Sequence, residues 1–97
     1  MPVTVVEIHV PAVGAAEWVA TVEDFLADLE DAGEIEVYDD AELIGAEHVF
    51  YLTGKKADLL LSAAARAVAR PGVPPRAWAL VTDDRSPEGK GRRVPLT

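Results

Sequence analysis

Two histidines are the residues of this 97-residue chain best suited to acid–base chemistry. His9 falls in a predicted strand beside Glu7, and His48 follows Glu47 in another. If these strands are neighbours, the imidazoles approach each other and a glutamate orients one of them. Such a group would serve as a general acid/base, or as a two-histidine metal site with a carboxylate as third ligand. The spacing supports neither strongly, and we favour the simpler interpretation that both histidines form surface hydrogen bonds.

The run Gly54-Lys55-Lys56 is a second candidate, because it follows a predicted strand and opens a predicted helix. Backbone N–H groups at a helix start, together with two ammonium groups, would hold an anion, such as the ligand of a sensing domain. The run is not a P-loop, since the residues before the lysine differ from that motif and no serine or threonine follows. Solvated lysines are the simpler interpretation.

Other chemistries lack the residues that they need. The chain has no cysteine, and Ser62 and Ser86 lie in a predicted helix and a polar tail without a nucleophile-elbow motif. The acids Asp39, Asp40 and Glu42 lack the ligand spacing and the central glycine of an EF-hand loop. The sequence therefore predicts no catalytic residue, no metal site and no cofactor.

The strongest signal is the distribution of charge along the chain. Residues 1–54 contain thirteen of the 17 acids and no lysine or arginine, whereas residues 55–97 contain all nine cations and four acids. The two parts carry −13 and +5, which give the net charge of −8. Like charges repel in a compact domain, and a cationic partner would offset that cost. At a pI near 4.5, nucleic acids and anionic membranes are poor partners.

Four acids line one flank of the first predicted helix: Glu17, Asp24, Asp28 and Asp31. At about 100° per residue they fall within about 60° of one another. No cation lies three or four residues from any of them, so the pairing that normally neutralises a helix surface is missing. We call these four residues the acidic stripe. It either docks on a basic partner or is a solvated face that keeps the protein soluble.

The hydrophobic spacing predicts the elements that position these residues. Four segments alternate or are continuously apolar, as strands are: residues 3–10, 34–38, 47–53 and 76–82. Two segments repeat apolar side chains at helical spacing: residues 15–32 and 55–70. Residues 39–45 are predicted as a turn-rich connection. Residues 83–97 are predicted as a polar tail whose end either forms a short edge strand or stays mobile.

The order β-α-β-β-α-β predicts one α+β domain over residues 1–82. We expect a ferredoxin-like two-layer sandwich with strand order 4-1-3-2, in which both helices cover one face of an antiparallel sheet. A three-layer doubly wound fold is the weaker alternative, because two helices cannot cover both sheet faces. The uncovered face would present His9, Tyr38 and Trp78, together with Phe50 or His48 depending on the register of the third strand. Such a face usually becomes a dimer interface or a ligand floor.

Composition also indicates a compartment. The absence of cysteine excludes disulfides and thiolate metal sites and favours a reducing cytoplasm. The chain starts with neither a basic n-region nor an apolar h-region, so no signal peptide is expected. The longest strongly apolar run, residues 49–52, is too short to span a bilayer.

These observations predict a small non-enzymatic protein-binding module. It would dock on a basic partner through the acidic stripe together with Glu34 and Glu36. An immunity or antitoxin-type inhibitor and an adaptor in a complex both fit such a surface. The alternative is a ferredoxin-like homodimer that binds a small molecule or acts as a cofactor-free enzyme. Its site would be lined by four residues: His9, Tyr38, His48 and Trp78.

Overall fold

A computed structural model shows that the chain is an α+β protein with two helices and one antiparallel sheet. The structure describes residues 4–14, 16–54, 56–82 and 91–96, with every side chain in them except that of Asp39. Lys55 and most of the predicted tail therefore lie outside the described residues. The α+β class predicted from the sequence is confirmed.

Seven elements follow one another in the described residues: β1 (Thr4–Pro11), α1 (Glu17–Asp31), β2 (Glu36–Ile44), β3 (Glu47–Gly54), α2 (Ala57–Val68), β4 (Trp78–Thr82) and β5 (Arg92–Pro95). The strands lie in the order β2-β3-β1-β4-β5, and each neighbouring pair is antiparallel. The antiparallel pairs exclude a doubly wound parallel sheet. β3 is an interior strand, in agreement with its nearly continuous apolar sequence.

β1 alternates between two environments. Val6, Ile8 and Val10 are completely buried, whereas Glu7 and His9 are partly exposed on the opposite face. The buried set belongs to one hydrophobic core that also contains side chains of α1, α2, β3 and β4. Burial of each such side chain stabilises the folded state by roughly 1.5–3 kcal/mol. The alternation of apolar and polar residues along β1 therefore determines which of its two faces packs on the core. We call the face that carries Glu7 and His9 the outer sheet face.

α1 packs on this core through the side chains that helical spacing predicts. Its buried residues are Trp18, Val22, Leu26 and Leu29. A Schellman motif ends the helix: Glu34 N–H donates to Leu29 O at 3.0 Å, and Gly33 N–H donates to Glu30 O at 2.9 Å. Gly33 has φ +80°, a value that glycine adopts without the steric cost of a side chain.

α2 contributes mainly alanine to the core. Its buried residues are Leu60, Ala63, Ala64, Ala67 and Val68. The sequence pattern places Ala65 on the inner side of this helix, which is wrong, because Ala65 is exposed and Ala63 and Ala67 are buried. In a helix with alanine on both sides, the two sides differ little in hydrophobicity. The pattern alone therefore does not predict which side faces the core.

The predicted turn-rich connection over residues 39–45 is also wrong. β2 continues to Ile44 and pairs with β3, with register shifts between Val37 and Asp39 and between Asp39 and Glu42. Such irregularities absorb residues that do not fit the ladder and allow the strand to continue. Acids are depleted in strands, and the acidic composition of this segment therefore hid it. The connection itself is a tight turn at Gly45, where φ is +60°.

β5 extends the sheet beyond β4. Gly91, just before it, lies so close to β4 that an added Cβ would be 2.7 Å from Cγ of Leu80, so only glycine fits without a shift of Leu80. Val94 and Leu96 pack against the core. Of the two outcomes expected for the end of the tail, the short edge strand is the one formed.

Candidate functional site

The acidic stripe is exposed along its whole length. Glu17, Asp24, Asp28 and Asp31 all lie on the solvent side of α1. None of these four carboxylates forms an ion pair or a side-chain hydrogen bond with another described residue. Their charges are therefore compensated by solvent alone within the described part of the chain.

The other two predicted docking residues, Glu34 and Glu36, differ from each other. Glu34 Oε1 lies 3.3 Å from Nη2 of Arg66, and both side chains are about half exposed. Such a surface pair contributes about 0–1 kcal/mol, so it neutralises Glu34 only in part. Glu36 is exposed and has no side-chain partner among the described residues.

Two arginines reach α1, Arg66 of α2 and Arg70 just after the end of α2, but they contact an aromatic ring there. Cζ of Arg70 lies 5.0 Å and Cζ of Arg66 lies 6.0 Å from the centre of the Phe25 ring. A guanidinium at these distances is attracted to the ring face. Phe25 is about 80° around the helix from Glu17 at 3.6 residues per turn, so these cations are held beside the acidic stripe and not on it.

The last turn of α1 increases the charge imbalance. It contains Asp28, Glu30 and Asp31 and no basic residue. The partial negative charge at a helix C-terminus favours cations, so each acid there is unfavourable by roughly 0.3–1 kcal/mol. Glu30 offsets part of this cost, because its Oε2 accepts the N–H of Val37 at 2.8 Å. The C-terminal end of the acidic stripe therefore carries an electrostatic cost.

A cavity of about 810 Å³ opens beside this end of α1, between the start of β2 and the start of α2. Three carboxylates line it, those of Glu30, Glu34 and Glu36. Its apolar lining includes Leu60, which is buried, and Leu59, which is 52% exposed. We call it the acidic cavity. A long cationic side chain with an aliphatic stem matches both kinds of lining.

The predicted anion site falls at the same place. Lys56 is the residue before α2 and lines the acidic cavity, while Lys55 lies outside the described residues. An anion held by Lys56 would face the carboxylates of Glu30, Glu34 and Glu36. Like charges repel, so these carboxylates disfavour an anionic ligand beside Lys56.

A polar cluster lies on the outer sheet face around His9. Nε2 of His9 is 3.2 Å from Oε1 of Glu7, and Nδ1 is 3.2 Å from Oε1 of Glu47. A neutral imidazole has one N–H and donates to only one of these carboxylates, whereas the doubly protonated ring donates to both. The His9 side chain is 13% exposed, so these contacts are partly shielded from water.

Trp78 completes this cluster. Its ring stacks on the His9 ring with centres 4.0 Å apart and planes 11° apart. Its Nε1 donates to Oε2 of Glu47 at 2.8 Å, so Glu47 holds both rings. On β5, the strand on the other side of β4, Arg93 places its Cζ 4.1 Å from the centre of the Trp78 ring. The contacts join β1, β3, β4 and β5 through side chains.

The four residues predicted to line a ligand site do not converge. His48 lies in register with Val10, and its ring makes an edge contact with Trp18 of α1 at 5.2 Å, on the core side of the sheet. The expected approach of His9 and His48 is therefore wrong, because the two rings belong to opposite faces. Tyr38 is exposed on β2, where its ring lies 5.4 Å from that of Tyr51. Only His9 and Trp78 are together.

Tyr51 lies on the outer sheet face in register with Glu7. Desolvation is the largest cause that raises the pKa of its phenol above the ordinary 10.0, and the negative charges of Glu42 and Glu7 raise it further. The Tyr51 hydroxyl also donates to Oε2 of Glu42 at 3.4 Å, which favours the protonated form. Tyr51 is therefore a hydrogen-bond donor at neutral pH.

Replacing Glu47 by alanine is expected to destabilise the protein by roughly 1–2 kcal/mol, because the Nε1 of Trp78 and the Nδ1 of His9 lose their acceptor. Urea unfolding followed by tryptophan fluorescence measures the loss. Glu36→Ala, which removes an exposed acid of the same sheet, serves as the control and should change stability by less than about 0.5 kcal/mol. Equal losses in the two variants would show that the Glu47 contacts contribute nothing.

Tyr51 also predicts a dependence of stability on alkaline pH. Its folded-state pKa is raised, so its contribution is present below the ordinary value and is lost as the pH rises through the folded-state pKa. We expect Tyr51→Phe to reduce the loss of unfolding free energy between about pH 8 and about pH 11. Tyr38→Phe is the control. An undiminished alkaline loss in Tyr51→Phe would refute the assignment.

Sequence reasoning named Glu7 and Glu47 as partners of a histidine, but it missed Arg93, Glu42 and Tyr51. Arg93 reaches Trp78 only because β5 joins the sheet, and Tyr51 meets Glu42 only because β2 continues past its irregular register. No spacing along the chain signals either contact. The strand register, once known, predicts both.

Comparison with known proteins finds no match for this chain among protein-family models, curated proteins or solved structures. In the described part of the chain, no three histidine, cysteine, aspartate or glutamate side chains are arranged to hold a metal ion. Neither described helix has the length and apolar character needed to cross a membrane. The function must therefore be argued from the surfaces themselves.

Proposed function

We propose that this chain is a small acidic module that docks on a basic surface of a partner protein. The acidic stripe carries the proposal: its four exposed carboxylates lie on one flank of α1 without a cation among the described residues. A row of unpaired like charges destabilises the free protein. A cationic partner relieves this repulsion and adds attraction of its own.

The acidic cavity supports the same partner chemistry. Glu34 and Glu36 connect the end of the acidic stripe to this cavity, where carboxylates lie beside Leu59 and Leu60. Lysine and arginine combine an aliphatic stem with a cationic head, and such side chains fit a recess with both linings. The docking surface therefore runs from α1 into the start of β2.

A ferredoxin-like sandwich would present this surface. The strand order β2-β3-β1-β4 supports that arrangement, and so does the single core that both helices share with the sheet. In such a sandwich α1 is an outer layer, and its polar flank is free to meet another protein.

Two roles suit an acidic docking surface. An inhibitor of the immunity or antitoxin type would cover the cationic site of a nuclease, and an adaptor would hold a basic subunit in a complex. In both roles, complementary charge speeds association and selects basic partners. Neither role requires catalysis by this chain.

A binding experiment with purified components tests the proposal. The immobilised chain first isolates binding proteins from an extract of the cells that encode it, and each candidate is then purified. The Kd of each pair is measured at about 50 mM and about 300 mM salt, which screen exposed charges to different extents. We expect a basic partner whose Kd rises steeply with salt. A partner that is acidic, or whose Kd is insensitive to salt, would refute charge-driven docking.

A further inference from the structure

The outer sheet face has opposite charges at its two edges. Glu36 and Glu42 lie on β2, one edge strand, in register with residues of β3 that face outward. Arg93 lies on β5, the other edge strand, in register with Leu80. The two edges are separated by the three strands β3, β1 and β4. This face is therefore a dipolar surface, negative at β2 and positive at β5.

The charge of Arg93 is available for a partner. Its guanidinium lies over the Trp78 ring, and no described carboxylate pairs with it. A guanidinium that stacks on a ring keeps its N–H donors free at the edge, where they can bind a carboxylate. At the opposite edge, Glu42 accepts only a long hydrogen bond of 3.4 Å from Tyr51, and Glu36 accepts none from described residues.

Between the two edges, the side chains on the outer sheet face are largely apolar or form hydrogen bonds with one another. Leu80, Tyr51 and Trp78 are partly exposed there. The two acids between the edges, Glu7 and Glu47, each place Oε1 at 3.2 Å from a ring nitrogen of His9, and Oε2 of Glu47 accepts the Nε1–H of Trp78. Partly exposed aromatic and aliphatic side chains between charged edges are the composition of a protein interface.

We propose that a second copy of this chain covers the outer sheet face. A two-fold axis in the plane of the interface can run parallel or perpendicular to the strands. The perpendicular axis places β5 on β5 and brings Arg93 against Arg93, which is repulsive. The parallel axis places β5 of each copy over β2 of the other. Arg93 of each copy then faces Glu42 and Glu36 of the other copy, which gives two equivalent charge contacts. Charge complementarity selects the parallel axis.

The area of the face sets the strength of this dimer. The five strands are 4 to 9 residues long and average about seven. At about 4.8 Å between strands and about 3.4 Å per residue, they cover on the order of 550 Å². A standard interface buries about 800 Å² per partner. The dimer is therefore at the small end of stable interfaces, and we expect a Kd of roughly 1–100 μM.

The dimer leaves the acidic stripe of the proposed docking surface free. The second copy covers one face of the sheet. The opposite face carries the β1 residues that lie in the core: Val6, Ile8 and Val10. α1 packs in that core. Two acidic stripes in one particle would raise the avidity for a partner with repeated basic sites. The proposal does not depend on the docking function, since its main charge pair joins Arg93 to Glu42 and it shares only Glu36 with the docking surface.

Charge-swap mixing tests the dimer and its axis. Sedimentation of the full chain between about 5 μM and about 500 μM should show a monomer–dimer equilibrium. Arg93→Glu and Glu42→Arg should each be monomeric over this range, because each places like charges at both edges. An equimolar mixture should dimerise again, because both pairs are then opposite in charge. Only folded variants can do this, so recovery also shows that both are folded.

Three results would overturn the proposal. The first is a wild-type chain that stays monomeric over the whole concentration range. The second is an Arg93→Glu variant that dimerises like the wild type. The third is a mixture of folded variants that stays monomeric, which would exclude the parallel axis. If Arg93→Glu does not fold, Arg93→Gln replaces it, and dimerisation of that variant at wild-type strength would contradict the role of Arg93.

Discussion

Replacing Asp24 and Asp28 by lysine is expected to weaken binding to the basic partner by about 100-fold. Both side chains are exposed on one flank of α1 without a partner among the described residues. Exposed ion pairs contribute about 0.2–1 kcal/mol each, and a reversal replaces an attraction by a repulsion of similar size. Each reversal therefore costs roughly 1.4 kcal/mol, or about tenfold in Kd. Isothermal titration with the purified partner measures the change.

A matched control separates the acidic stripe from net charge. Asp58→Lys, Ser62→Lys and Ala65→Lys together change the net charge by the same amount as the double variant, since one reversal counts twice and two additions count once each. All three positions are exposed on α2. This triple variant should bind within about threefold of the wild type, because long-range charge alone has a small effect at physiological salt. If it weakens binding as much as the double variant, no specific docking surface exists on α1.

Replacing Trp18 by alanine is expected to destabilise the protein by about 3–5 kcal/mol, the largest effect of any substitution considered. Trp18 is 5% exposed and contacts His48 and Phe50, so it attaches the start of α1 to β3. Domains of this size have about 5–15 kcal/mol of stability, and the variant should therefore be close to unfolding. Urea unfolding followed by circular dichroism measures the loss.

Trp78→Ala provides the comparison for Trp18→Ala. Trp78 is partly exposed on the outer sheet face and lies outside the main core. Its removal costs packing on His9 and one hydrogen bond to Glu47, which together suggest a loss of roughly 1–3 kcal/mol. A larger loss for Trp78→Ala than for Trp18→Ala would mean that Trp18 is not the main attachment of α1 to the sheet.

The elements with a clear period were predictable from the sequence. β1 alternates strictly, and α1 places Trp18, Val22, Leu26 and Leu29 on one side. The hydrophobic pattern alone therefore indicates the type of each element and the side that is buried. The α+β class followed from the order of these elements. The boundaries of β1 and α1 differ from the predicted ones by one or two residues, because helix and strand ends depend on local hydrogen bonds that the hydrophobic pattern does not contain.

Other parts depended on contacts that no local pattern shows. β2 continues through acidic residues because its backbone pairs with β3, and two register shifts absorb the mismatch. β5 pairs with β4, and Gly91 just before it permits a close approach to Leu80. In both places tertiary pairing overrides a weak or opposed local preference.

The candidate surfaces were predictable to different extents. The acidic stripe was fully visible, since helical spacing and exposure follow from the same sequence pattern. The cluster around His9 was visible only in part, because a one-residue difference in register decides which face a strand residue meets. His9 lies opposite Val49, and this register turns His48 to the core side. The sequence contains no signal that distinguishes this pairing of β1 with β3 from one shifted by a single residue.

In the described part of the chain, the cations next to α1 do not neutralise the acidic stripe. Arg66 of α2 and Arg70, just after the end of α2, reach α1, and both lie over Phe25. Among the described carboxylates, only that of Glu34 forms an ion pair with one of them, Arg66. The described structure therefore keeps the charge separation of the sequence and converts it into an acidic surface.

The dependence of stability on salt tests this claim most directly, because it needs no partner. Raising NaCl from about 10 mM to about 300 mM shortens the range of charge repulsion from about 30 Å to below 10 Å. If the acidic stripe is uncompensated, the unfolding free energy of the wild type should rise over this interval, and Asp24→Lys with Asp28→Lys should remove more of the rise than the α2 triple variant does. A wild-type stability that stays constant or falls with salt would contradict the account, because the carboxylates of α1 would then already be neutralised within the chain.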